Sequence, residues 1–402
     1  MSGGLPWQRA AQGAHLLDDD GRPRPTIFEE LTELARLHGA INLGQGFPDA
    51  DGPQELRDIA RGHVADGLNQ YAPGRGLPVL RQAVAAHQQR FYGLTPDPDD
   101  EVLVTTGATE AIAACILGLV SPGDEVVTLE PFYDSYGALL SMAGAVHKTI
   151  PLRWPDFQPR AEDIAAAITP GTRMVFLNTP HNPTGTVLAT EALALIASAA
   201  ERAGAVIVSD EVYEHLVFDG SHVPVATLPG AWDRTLTIGS AGETFSLTGW
   251  KVGWITGPRD LVAAVRTVKQ FLSYSSGGPF QAAVAHGLGY PDAFFAAVAS
   301  DLASKRELLA SALTDVGFRV NAPAAGYFLM ADAADLGVDD AVALARELPS
   351  TTGVAAVPVG VFALPGNAGS YASLLRFAFC KHRDVLTAAG RALSEHGVLR
   401  AT

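Results

Sequence analysis

Cysteine is scarce: the 402 residues contain two, Cys115 and Cys380, with no spacing that pairs them or matches a metal motif. Two isolated thiols build neither a disulfide framework nor a thiolate cluster, so both are expected to be reduced core residues. Charge is also sparse. Asp, Glu, Lys and Arg make up 18% of the chain against 48% hydrophobic residues, the balance of an ordered globular protein. Positive charge is the smaller share, 28 Lys and Arg against 43 Asp and Glu, for a formal net charge of −15. With no basic run, that sign argues against nucleic acid or an anionic membrane as a partner. The longest apolar stretch, Ala111 to Val120, is about half a membrane span and ends at Ser121-Pro122-Gly123-Asp124, so a buried helix is expected there. Met1 to Pro25 lacks the hydrophobic core of a signal peptide, which makes a cytoplasmic protein the expectation. Internal repeats, low-complexity tracts and linkers are missing too.

What is present alternates between strand and helix. Residues 1 to about 25, rich in Gly, Pro and Asp, are expected to form an arm or loop. Ile27, Leu31, Leu34 and Leu37 stand at helical spacing and predict a helix from Thr26 to Gly39. Val102 to Thr106 reads as a strand and Gly107 to Val120 as a helix. Their junction, Gly107-Ala108-Thr109, offers free N–H groups and a positive dipole end to a phosphate. Strands follow at Glu125 to Leu129, Arg173 to Asn178 and Ala205 to Val208, the last ending in Ser209-Asp210-Glu211-Val212-Tyr213. An acid at the carboxyl end of such a strand lies where open α/β sheets place their ligands. Helices are expected at Arg259 to Leu272, Phe280 to Gly287 and Ala293 to Val316. Near the C-terminus Arg376 is the one charge in the hydrophobic run Leu374 to Cys380. An arginine in a buried strand needs an anion, either a bound carboxylate or a structural ion pair. This alternation predicts an α/β fold with a mostly parallel sheet covered on both faces.

The stretch Arg234 to Gly257 is the most informative. Two β-rich runs, Thr235 to Ile238 and Val252 to Thr256, flank a Ser/Gly/Thr loop too small and polar for a core, giving strand, site loop, strand. It resembles the cofactor-lysine motif of class I/II aminotransferases, the fold-type-I enzymes of pyridoxal 5'-phosphate (PLP), closest to the kynurenine, methionine and succinyldiaminopimelate aminotransferase branch. That motif is a serine, two small residues, the lysine that forms a Schiff base, and a basic phosphate ligand eight residues on. Ser240 and Lys251 take the first and last places, and Glu243 takes the place of the lysine.

The resemblance runs from about Thr26 to Leu393 and implies further roles. Gly46, in Ile41 to Asp49, matches a glycine that lets the backbone approach the substrate. Tyr71 matches a tyrosine that reaches a phosphate across a dimer. Gly107, Ala108 and Thr109 match the phosphate turn. Tyr133, two residues after Pro131, matches the ring that stacks on the cofactor, with Phe132 as the alternative. Asn182 and Tyr213 match hydrogen-bond partners of its phenolic oxygen, Asp210 the partner of its ring nitrogen, and Arg376 the substrate's α-carboxylate ligand. The resemblance also implies a homodimer with shared sites, built from an arm and part of a small domain (1–48), a large cofactor domain (49–290) and a C-terminal small domain (291–402).

A carboxylate forms no stable imine, so PLP or its amine form is expected to be held noncovalently and Glu243 to act only as a catalytic proton carrier. Lys251 as a substitute would strip the phosphate of its partner. Glu243 fits either an introduced change or a natural one. The reading is an aminotransferase for an amino acid and a 2-oxo acid, impaired or altered. The alternatives are a ligand-binding homologue without catalysis and other PLP chemistry such as elimination.

Overall fold

The computed structural model describes residues 5–396; the first four residues of the expected arm and 397–402 of the expected C-terminal domain lie outside the described residues. Seven segments with β-branched and aliphatic runs form one sheet. Across it the order is Val102–Thr105, Gly253–Thr256, Thr235–Ser240, Val206–Asp210, Thr172–Asn178, Glu125–Glu130 and Val146–Pro151. Gly253–Thr256 runs antiparallel to both neighbours, and the five strands beyond it are parallel. Val206–Asp210 and Thr235–Ser240 are buried throughout, as expected of strands covered on both faces. Helices Gly107–Leu119 and Arg259–Lys269 cover one region of the sheet, and Thr190–Ala203 packs against Thr172–Asn178.

A second, antiparallel sheet joins Val357–Pro358, Leu374–Ala378, Phe328–Asp332 and Arg319–Val320. Ile41–Asn42 pairs in parallel with Val354–Ala355, which ties the beginning of the chain to its end. The helix before it, Ile27–His38, starts at a capping box of Thr26 and Glu29 and stops at Gly39, whose φ is 62°. The 24-residue helix Asp292–Asp315 packs on Arg383–His396. No helix among the described residues is long and apolar enough to cross a membrane.

Two local expectations need correction. Pro6–Gly13, within the expected arm, is a helix with Pro in its first turn. It buries no residue of its own and rests on Asp134–Ala143 through glycine, because a Cβ on Gly13 would lie 2.2 Å from the Gly137 carbonyl oxygen. The site loop is neither open nor outside the core. Ala241–Phe245 is a helical turn capped by Ser240, whose Oγ accepts from Gly242 N at 3.0 Å. Its small residues are buried because their polar groups are satisfied locally; Thr244 Oγ1 donates to the Ser240 carbonyl at 2.9 Å.

The phosphate-type turn presses on its neighbouring strand backbone to backbone. A Cβ on Gly253 would meet the Gly107 carbonyl carbon at 2.6 Å and Ala108 N at 2.9 Å. Gly253→Ala is therefore expected to cost about 1–3 kcal/mol in urea unfolding. Gly62→Ala, in the helix Gln54–Ala65 with nothing within 4 Å, should instead stabilise by about 0.5–1 kcal/mol. Equal effects of the two would refute the close approach.

Candidate active site

A cavity of about 480 Å³ opens at the carboxyl ends of the central strands, between the two sheets. Asp210 closes Val206–Asp210 and is 5% exposed. Its Oδ2 accepts from the Tyr136 hydroxyl at 2.6 Å. Burial pushes its carboxyl up to about 7; the Tyr136 hydrogen bond opposes that and the charge of Glu243 adds to it. Next door, Asn178 ends its strand in register with Asp210. Its Nδ2 donates to the Asp210 carbonyl at 2.9 Å, and its Oδ1 accepts from Asn182 N at 2.6 Å, which fixes the turn that carries Asn182.

Arg376 enters from the second sheet. Nη1 donates to Asn182 Oδ1 at 3.2 Å and Nη2 to the Gly44 carbonyl at 2.9 Å, while Nε has no partner. The guanidinium lies over the Phe328 ring at 4.0 Å, with Phe362 and Phe28 at 5.0 and 5.3 Å. It forms no ion pair with any described residue, so the structural-pair alternative is not what this arginine adopts. Burial lowers its pKa to about 10. Gly46 lines the same space, where a Cβ would stand 2.3 Å from Phe328 Cζ.

On the opposite wall, Gly107 has φ 71° and begins the helix bearing Ala108 and Thr109. Lys251 donates from Nζ to Thr109 Oγ1 at 3.2 Å, and a Cβ on Gly107 would lie 3.1 Å from that same Nζ. Lys251 holds a left-handed φ of 53°, costly for a residue with a side chain. Glu243, on its helical turn, lines the cavity between this wall and Asp210. Its Oε2 is buried with no partner. Burial raises its pKa, opposed by a hydrogen bond with Ser240, its own backbone N–H and the charge of Lys251. The Tyr327 hydroxyl donates to the Glu243 carbonyl at 2.8 Å, and its ring meets Tyr213 edge-on at 5.4 Å.

Of the two aromatics after Pro131, Tyr133 lines the cavity, whereas Phe132 is 2% exposed in the core against His147. The cavity thus gathers Gly46, Ala108, Thr109, Tyr133, Asn182, Asp210, Tyr213, Glu243, Lys251 and Arg376, with Gly107 and Ser240 directly behind them. Tyr71 is not among them. It is 84% exposed and stands edge-on to Tyr274 at 5.6 Å, beside a separate recess formed with Ser275 to Pro279. Sequence reasoning missed Tyr136 and Asn178. Tyr136 was findable as one helical turn beyond Tyr133, and Asn178 as a polar strand end beside another.

Asp210 carries a proton in the folded state that it has lost in the unfolded chain between about pH 4 and 7. Its contribution to stability is therefore full below about pH 4 and declines as pH rises to about 7, by up to roughly 1.4 kcal/mol per pH unit. In cofactor-free protein, Asp210→Asn should remove that part of the slope. Parallel stability-against-pH curves for the two proteins would contradict it.

The model of the family "Aminotransferase class I and II" matches residues 38–391. The chain is 50% identical over 379 residues to the probable N-succinyldiaminopimelate aminotransferase DapC of Mycobacterium tuberculosis, covering 92% of this chain and 95% of that one. It is 38% identical over 371 residues to the methionine aminotransferase of Escherichia coli, covering 92% and 95%. The solved structure of the N-succinyldiaminopimelate aminotransferase from Mycobacterium tuberculosis superposes with a TM-score of 0.90 at 49% identity, over 93% of this chain and 97% of that one. A cavity at the strand ends, a phosphate-type helix start, a buried acid and an arginine free for an anion agree with that match: this chain belongs to the class I and II aminotransferases.

Proposed function

We propose that this chain is an aminotransferase framework that holds its cofactor without a covalent bond, because Glu243 stands where the family's enzymes carry their lysine. The observation that carries this is the position of Glu243: three residues after Ser240, eight before Lys251, and lining one cavity with Asp210 and Arg376. The family works with PLP, which supplies an electron-withdrawing ring that loosens the substrate's Cα–H bond. The donors present fit that cofactor. Lys251, Thr109 and the N–H groups of the turn at Gly107 suit a phosphate, and the buried Asp210 suits a ring N–H. The unpartnered Nε of Arg376 leaves a donor for a substrate carboxylate.

Each side chain then has a task. Asp210, steadied by Tyr136, holds a proton against the ring nitrogen. Asn182 and Tyr213 orient the phenolic edge, and Tyr133 covers one face and excludes water. Glu243 cannot hold an aldehyde but can take or return a proton, and its raised pKa keeps that proton available. An ammonium on the bound ring would face this carboxylate, which favours the amine form of the cofactor.

A second copy of the chain completes the site. Tyr71, 84% exposed, and Tyr274, in edge-on contact with it, form an uncovered aromatic pair that suits an interface and brings Tyr71 to a partner's phosphate. The large sheet belongs to a cofactor domain (49–290), and the second sheet with residues 1–48 and 291–402 to a smaller one. Cys115 and Cys380, both buried thiols, suit a cytoplasmic setting. The substrates are an amino acid and a 2-oxo acid, and the relatives' names point to N-succinyldiaminopimelate, methionine and kynurenine as the donors to assay first.

Borohydride treatment of protein with PLP should label no lysine, and calorimetry should show the amine form binding more tightly than the aldehyde. A pyridoxyl group on Lys251, or no binding of either form, would overturn the reading. Glu243→Lys should acquire a covalent, visible-absorbing link and gain amino-group transfer by at least roughly two powers of ten. A link without turnover would favour the ligand-binding homologue, and ammonia release without an acceptor would favour elimination. Sedimentation at micromolar concentration should show a dimer; a monomer would remove Tyr71 from the site.

A further inference from the structure

The segment that carries Asp210 and Tyr213 continues into Glu214 and His215, which do not line the cofactor cavity. They meet His87 of the helix Pro78–Tyr92, and the Nε2 atoms of His87 and His215 are 2.6 Å apart. One ligand atom from each of His87, Glu214 and His215 lies within 4.8 Å of the other two. His87 and Glu214 are buried and His215 half-buried. Aromatic rings close the space: Phe295 stacks on His215 at 4.1 Å, and Phe91 stands 4.8 Å from His87 and 4.7 Å from His215. The Tyr92 hydroxyl bonds to Glu214. A second buried acid, Glu211, is paired with His222 at 2.8 Å.

Glu214 is thus a carboxylate inside an aromatic shell, and among the described residues no Lys or Arg pairs with it. In its ionised form such a group is costly to bury without a cation. Two imidazoles and a carboxylate are the donor set of open zinc sites, and imidazole nitrogen selects zinc, nickel or copper over magnesium or calcium. We propose that His87, Glu214 and His215 form a binding site for a divalent transition metal, zinc in the first instance, separate from the cofactor cavity. With Zn–N distances of about 2.0–2.1 Å, tetrahedral ligands stand roughly 3.3 Å apart. The two histidines, 2.6 Å apart, therefore part by about 0.7 Å to admit the ion, and the carboxylate moves in. Tyr92 holds the carboxylate from outside, as outer partners of metal ligands do. Water takes the fourth position. The ion clips the helix Pro78–Tyr92 to the segment that begins at Asp210, so its role is structural support of the strand end, without contact to substrate.

The test uses the full chain with cofactor bound, dialysed against a chelator and then against micromolar zinc. Elemental analysis should find one zinc per chain, with a raised Tm, and cobalt(II) should give the visible bands of a tetrahedral, nitrogen-ligated ion. His87→Gln and His215→Gln should each weaken zinc binding at least about tenfold. No zinc retained by the unaltered chain, or retention by both variants equal to that of the unaltered chain, would overturn the proposal. Should the variants fail to fold, the cobalt spectrum of the unaltered chain decides, and a purely octahedral spectrum refutes the site. Because Glu243 and the cofactor take no part, this outcome is independent of the aminotransferase reading.

Discussion

A guanidinium buried with no carboxylate in ion-pair contact among the described residues is the costly feature around which this molecule is arranged. Arg376 is 3% exposed, and its neighbours are an amide, a carbonyl and three aromatic faces. Those contacts are oriented dipoles and ring quadrupoles, which soften the desolvation of a cation without cancelling its charge. They also draw together Gly44 near the chain start, Asn182 in the turn after a strand of the large sheet and Phe362 near the chain end. The two sheets are thus joined at a place where a positive charge is left without an ion pair. An ion pair at Arg376 would have joined them equally well and left nothing for a carboxylate to do.

The acids across the cavity make the complementary arrangement. Burial raises the pKa of both Asp210 and Glu243, and the charge of Glu243 adds to the rise at Asp210. Lys251 lowers Glu243 only weakly and is engaged with Thr109. Such a cavity is most at ease with a ligand that brings positive charge near Asp210 and Glu243, and negative charge near Lys251 and Arg376. A lysine at 243 would place a second cation near Lys251 unless it were neutralised by bonding to the cofactor. The carboxylate reverses that preference: it asks the ligand to supply the amine.

The sheet order could be anticipated because its strands are continuous apolar runs ending in polar residues, and that punctuation survives in the structure at Asn178, Asp210 and Ser240. The choice of Tyr133 over Phe132 as the cavity ring could be read from the resemblance alone. Tyr136 could not, since its hydroxyl matters only through Asp210, 74 residues away in the chain. The burial of Ala241–Phe245 was also hidden. A polar, glycine-containing stretch reads as a surface loop, whereas here the Ser240 and Thr244 hydroxyls are satisfied within the turn, and the small side chains admit neighbouring backbone. The helix at Pro6–Gly13 was missed because it has no buried stripe to impose a period.

The six residues from Asp210 to His215 are divided between two environments. Asp210 and Tyr213, three apart, line the cavity at the strand ends, while Glu211, Glu214 and His215 turn toward His87 and His222. A turn of this kind, held on one side only, would let Asp210 rotate with any motion of its own backbone. Here the far side is anchored as well. Ser209 donates to Glu211 at 2.7 Å, Val225 N does so at 3.1 Å, and the imidazoles pack against Phe295 and Phe91. The orientation of the Asp210 carboxyl group in the cavity therefore depends on polar groups that lie outside it. A change in that buried cluster is transmitted to the cavity through a single short stretch of backbone.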